Sequence, residues 1–200
     1  MDFSSDQILR AFIAVEISNE VRAALAVEQA RLKKFGARVG WVAPENMHLT
    51  LLFLGDIFGA QVAPLAAALD AVTASCARFD LSVTGLGWFG PAQSPRVVWA
   101  GVREGAEQLG GLQKKIEEQA RALGLRTEAR AFHPHLTLGR ARPGGHATLP
   151  ALTEALRQAN DTTYGRCAVA AVRLMQSRLG PGGAQYNLLH ESKLKGISYG

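Results

Sequence analysis

The residues best suited to chemistry occur as a repeated word. His-Leu-Thr-Leu stands at His48–Leu51 and again at His135–Leu138, 87 residues apart in a chain of 200. In a β-strand, residues i and i+2 face the same way. Each copy therefore presents an imidazole beside a hydroxyl, while its two leucines face the opposite side. Imidazole takes or gives a proton near neutral pH. Two such strands side by side offer two proton-transfer groups with two hydrogen-bond donors between them, a set suited to acid–base chemistry on a phosphate. His48 and His135 are the candidate catalytic pair, and Thr50 and Thr137 the candidate donors to oxygens where charge develops. A lone His at a strand start is more often structural; the duplication reverses that judgement.

The elements around the two words also repeat. Ala11–Val15 and Val97–Gly101 are compact apolar strands that begin 37 and 38 residues before their histidines. Amphipathic helices are expected after them, over about 19–35 and 105–123, the first with Ser18 and Asn19 as caps and Gly36 as its stop. Further helices are expected over 61–77 and 148–160, and strands over 81–89 and 168–177. Gly90-Pro91 and Gly180-Pro181 open turns after those strands, which predicts antiparallel hairpins, and 186–192 forms a closing strand. The chain reads as two copies of β-α-β-α-β plus one strand, an α+β fold of two lobes sharing one sheet system.

Composition narrows the class. With 48% apolar and 20% charged residues, this is ordinary globular composition. No apolar run approaches the ~20 residues of a membrane helix, and Met1–Asp6 lacks the basic and apolar regions of a secretory signal. Cys76 and Cys167 read as buried free thiols in a reducing compartment. The net charge of +5 and pI near 9.6 suit an anionic ligand. No Lys/Arg block marks a tight duplex-DNA binder.

The other candidates carry less. His133 and His135 form a His-x-His pair that can be half of a metal site, but no carboxylate or Cys lies at close ligand spacing, so no metal site is expected. His146 and His190 have no supporting pattern. Arg140 closes the second motif. Strict alternation turns it away from His135, whereas relaxed alternation at a strand end brings its guanidinium within reach of a phosphate. Arg96 and Tyr186 each lie five residues after a turn proline, in matching places of the two halves.

Three segments together resemble a known family: Arg10–Glu16, Trp41–Gly55 and Phe132–Arg140. They are similar to the bacterial RNA 2′,3′-cyclic phosphodiesterases, also called 2′-5′ RNA ligases, of the two-histidine phosphoesterase superfamily. The resemblance spans roughly residues 10–193. The repeat sets halves of about 10–95 and 96–193 within a single domain over 1–200, and the resemblance implies that this domain is bilobal. Two pseudo-symmetric lobes of largely antiparallel sheet would carry helices on the outside and both motifs in a central cleft. It implies hydrolysis of 2′,3′-cyclic phosphate RNA ends to 2′-phosphates, with no cofactor and no metal, and with 2′-5′ ligation as the reverse chemistry. It suggests His48 as proton donor to the leaving 3′-oxygen and His135 as acceptor from water; Thr50 and Thr137 would hold the non-bridging oxygens, and Arg140 is a further candidate for substrate binding, with a surface salt bridge as its competing reading. The expected partner is an RNA end, such as a tRNA fragment or small oligonucleotide, met by a cytoplasmic monomer away from any membrane. The competing classes are a non-catalytic RNA-end binder and a metallohydrolase using His133 and His135.

Overall fold

The computed structural model describes residues 4–35, 38–93, 95–127, 131–142, 149–180 and 183–196. The strands are β1 (Ile8–Val15), β2 (Val39–Trp41), β3 (Leu49–Phe58), β4 (Phe79–Phe89), β5 (Val97–Val102), β6 (His135–Ala141), β7 (Thr163–Val169), β8 (Ala171–Gly180) and β9 (Gly183–Lys193). The helices are α1 (Asn19–Lys33), α2 (Val62–Ala74), α3 (Ala106–Ala122) and α4 (Leu149–Gln158). Helix α1 starts where expected because the Ser18 hydroxyl accepts a hydrogen bond from the Val21 N–H at 3.3 Å. It buries Val21, Leu25, Gln29 and Leu32, one face of an amphipathic helix. It ends at Lys33, whose successor Lys34 bonds back to the Arg31 and Leu32 carbonyls. The expected stop, Gly36, and the Gly144–His146 loop lie outside the described residues. No described helix is long and apolar enough to cross a membrane.

All the strands join one sheet in the order β7-β4-β5-β6-β3-β1-β8-β9, with β2 also paired to β6. Every pairing between these strands is antiparallel. Read outward from the β3–β6 pair, the order is the same on both sides. β1 flanks β3 as β5 flanks β6, β8 then matches β4, and β9 matches β7. Each wing mixes the two sequence repeats: β4, from the first, pairs with β5, and β8, from the second, pairs with β1. Helices cover one face, and the motif leucines Leu49, Leu136 and Leu138 are fully buried there with helical residues such as Leu25 and Leu109.

Two sequence expectations need correction. The strand expected over 168–177 is two strands, with only Ala170 between β7 and β8. The unbroken apolar run Cys167–Val172 hides the boundary, yet β7 pairs with β4 in one wing and β8 with β1 in the other. Arg96 and Tyr186 are not equivalent either. β5 lies on the inner side of β4, whereas β9 lies on the outer side of β8, so the two hairpins have opposite places in the sheet. The expected β4–β5 and β8–β9 hairpins are both present. Cys167 is buried and Cys76 half-buried, and both are free.

Candidate active site

The β3–β6 pairing brings the two motifs together at the centre of the sheet. Leu49 lies opposite Leu136. One residue further in each direction, the antiparallel register sets His48 across from Thr137 and Thr50 across from His135. All four point away from the leucine face. The result is a square with histidines on one diagonal and threonines on the other. Diagonal neighbours on paired strands lie about 7–8 Å apart, a span in which two imidazoles can approach one phosphorus from opposite sides.

The same local device follows each motif. On β1, Ala14 pairs with Thr50 and Ile13 with Leu52, leaving Leu51 as an extra residue. On β5, Trp99 pairs with Thr137 and Val98 with Gly139, leaving Leu138 extra. These are β-bulges at equivalent positions, a feature that re-aims side chains near functional sites. The second bulge settles the orientation of Arg140. It reverses the alternation after Thr137, so Arg140 lines the same cleft as Thr137 and His48. Phe53 holds the matching place after the first bulge and lines the cleft too.

Both imidazoles are anchored alike. His48 Nδ1 lies 2.8 Å from the Asn46 carbonyl, and His135 Nδ1 lies 2.7 Å from the His133 carbonyl. A carbonyl only accepts, so each Nδ1 carries the hydrogen and each Nε2 is left for the substrate. Each ring also has an aromatic edge contact. Tyr186 stands 5.2 Å from His48 at 88°, and Phe89 stands 4.9 Å from His135 at 89°. Phe12 stacks on His48 at 4.8 Å. Burial lowers the pKa of both histidines. The backbone hydrogen bonds oppose this, and nearby positive charge adds to it: Arg22 at His48, His133 and Arg140 at His135. A bound anion would push both back up.

The supports differ in strength. Arg22 Nη1 donates to the Pro44 and Met47 carbonyls at 2.7 and 3.1 Å, bracing the turn before His48. Asn46 Nδ2 ties the same turn to the Ala184 carbonyl at 2.9 Å. The buried Gln29 amide donates to Val42 O at 2.7 Å and Leu138 O at 3.0 Å, linking the approach to the first motif with the bulge after the second. The sequence carries one signal for Gln29, a polar side chain inside the apolar stripe Val21, Leu25, Leu32.

The cleft beside the square has a volume of about 1070 Å³ and is lined by His48, Thr50, Thr137, Arg140 and Tyr186, among others. His135 lies across from Thr50, which lines the cleft, and is not itself among the lining residues. His133 is exposed and contributes its backbone carbonyl, and Arg96 does not line the cleft. Among the described residues no group of three or more His, Cys, Asp or Glu side chains gathers into a metal site.

A family model described as "LigT like Phosphoesterase" matches residues 15–99 and 101–186. The chain belongs to the LigT-like phosphoesterase family. The double match falls on the two repeats. Among the family's curated members, a protein of Aeropyrum pernix named RNA 2′,3′-cyclic phosphodiesterase is 36% identical over 82% of this chain and 93% of its own length. Among solved structures, TT0787 of Thermus thermophilus superposes with a TM-score of 0.78 at 27% identity, over 94% of this chain and 100% of its own. E. coli LigT complexed with 3′-AMP gives 0.74 at 28% identity, over 94% and 99%. These likenesses bear out the α+β fold with a curled antiparallel sheet and external helices.

Proposed function

We propose that this protein hydrolyses the 2′,3′-cyclic phosphate at an RNA end to a 2′-phosphate by metal-independent acid–base catalysis. The observation that carries this reading is the His–Thr square, with both Nδ1 atoms committed to backbone carbonyls. The family's curated members named for this activity support it. His135 starts neutral, and its Nε2 accepts a proton from the attacking water. His48 starts protonated, and its Nε2–H gives a proton to the departing 3′-oxygen. The new P–O bond to water forms in line with the breaking bond to the 3′-oxygen. Thr50 and Thr137 donate to the non-bridging oxygens, and Arg140 offsets their charge. A cyclic diester carries a single negative charge, less than a nucleoside triphosphate, so this donor set can serve without a cation. The assignment of acid and base follows the family resemblance.

The chain acts as one bilobal unit over residues 1–200, a monomer in the cytoplasm, where its free thiols stay reduced. Its substrates are RNA ends such as tRNA fragments or small oligonucleotides, and 2′-5′ ligation is the reverse reaction at the same site. The test is incubation with a short RNA ending in a 2′,3′-cyclic phosphate, in EDTA, followed by identification of the product. A 2′-phosphate product is expected. A 3′-phosphate, or activity abolished by EDTA and restored by metal, overturns the proposal.

A further inference from the structure

The cleft continues well past the His–Thr square. Along β1 and β3 the cross-strand partners run Ala14 with Thr50, Phe12 with Phe53, Arg10 with Asp56 and Ile8 with Phe58. A second bulge, at Leu54 before Gly55 (φ +68°), keeps Asp56 and Phe58 on the cleft side. Six residues of β1 separate the first pair from the last, about 20 Å at 3.3 Å per residue. β8 adds a third column. Its register sets Phe12 beside Met175 and Ala11 beside Gln176, and further along the strand Ser177 and Leu179 line the same cleft.

The strip is graded. Next to the square lies Phe53, 48% exposed. A polar row of Arg10, Asp56 and Ser177 follows. The far end is a row of Ile8, Phe58 and Leu179, exposed by 64%, 53% and 76%. An apolar row of this kind, continuous with a cleft, marks a binding surface. Three arginines line the cleft, Arg10, Arg126 and Arg140, against one carboxylate, Asp56. None of the three joins an ion pair among the described residues. Exposed aromatics along an arginine-lined groove are the equipment of single-stranded nucleic acid binding, with bases on rings and phosphates on guanidiniums.

We propose that this strip holds the RNA nucleotides immediately 5′ of the terminal cyclic phosphate, with Phe53 and Phe58 stacking on bases and Arg10 and Arg126 meeting the backbone. The inference rests on the proposed reaction and adds a preference for oligonucleotide ends over mononucleotides. At about 3.4 Å per stacked step, 20 Å accommodates several nucleotides. Stacking is tolerant of sequence, so the preference is for length, not base identity.

The experiment compares kcat/KM for a nucleoside 2′,3′-cyclic phosphate with that for a pentaribonucleotide carrying the same end. The pentamer is expected to win by about tenfold or more. Phe58→Ala should lower the pentamer value about tenfold more than the mononucleotide value, through KM. Arg10→Gln, a second variant, should flatten the salt dependence of the pentamer KM. Equal values for the two lengths, or equal losses on both, overturn the strip. If neither substrate turns over, the reaction itself is wrong, and anisotropy titration with a labelled pentamer competed by 3′-AMP decides the strip alone. A tenfold length preference lost in Phe58→Ala supports it; equal affinities overturn it. A wild-type dimer that Phe58→Ala dissociates in sedimentation would make the far row a self-interface and also overturn it.

Discussion

The two halves of the proposed active site have the same chemistry and different supports. Each histidine donates Nδ1–H to the carbonyl two residues earlier, each has an aromatic edge contact, and each motif runs into a bulge. Behind His48 stands a braced wall: Phe12 stacked on the ring, Arg22 and Asn46 holding the preceding turn, Tyr186 closing the side. Behind His135, among the described residues, stand the rings of Phe89 and Trp99, and its carbonyl anchor belongs to the exposed His133. The duplicated elements retain the features that fix a proton's position. Features that merely stiffen the wall have diverged, because many packings can stiffen it and only a few set a tautomer.

If the halves are chemically equal, breaking either should be equally severe. His48→Ala and His135→Ala are each expected to lower kcat by at least about 10²-fold on a cyclic-phosphate RNA, with circular dichroism unchanged. A His135→Ala enzyme that keeps most of its turnover would make the site one-sided. Thr50→Val and Thr137→Val should each lower kcat/KM by about tenfold, the scale of one hydrogen bond to a charged oxygen. The two losses should match within a few-fold. A large imbalance would show that one threonine alone serves the phosphate.

Gln29 tests what couples the halves. Gln29→Leu removes the amide that ties Val42 O to Leu138 O and leaves both carbonyls, that of Leu138 buried and that of Val42 half-buried, without that donor. A stability loss of about 1–3 kcal/mol is expected in urea unfolding. With the bulge freed, kcat should fall several-fold while KM changes little. Unchanged kcat in a destabilised protein would confine Gln29 to the fold.

The placing of each His beside its Thr was legible in the sequence because strand periodicity acts over two residues and needs no tertiary information, and the duplicated motif pointed to the two histidines as a pair. Helix positions were legible for the same reason; Ser18 capping and the Val21–Leu25–Leu32 spacing are local signals. The orientation of Arg140 was not, because a bulge is decided by the partner strand: Leu138 becomes the extra residue only when Trp99 and Val98 pair across it. The β7–β8 boundary was hidden for a related reason. Both strands are apolar on their buried faces, and the switch between wings happens at Ala170, a residue with no breaker chemistry. The strip of Phe53, Asp56 and Phe58 was likewise invisible, since two bulges had to be counted before those side chains shared a face.

The smallest effect separates the roles of the two histidines. Burial and a nearby cation lower both pKa values, but the cation differs: Arg22 at His48, His133 and Arg140 at His135. The pH–rate profile should be a bell, its acid limb set by the base and its alkaline limb by the acid, the two belonging to a coupled pair. Arg22→Gln keeps a donor for the Pro44 and Met47 carbonyls and removes the charge, so the pKa of His48 rises. If His48 is the acid, it stays protonated to higher pH and the alkaline limb moves up. His133→Ala raises the pKa of His135. If His135 is the base, it loses its proton only at higher pH, and the acid limb moves up. Each variant should shift mainly its own limb. The reverse pattern, with Arg22→Gln moving the acid limb, would exchange the two roles while leaving the square intact.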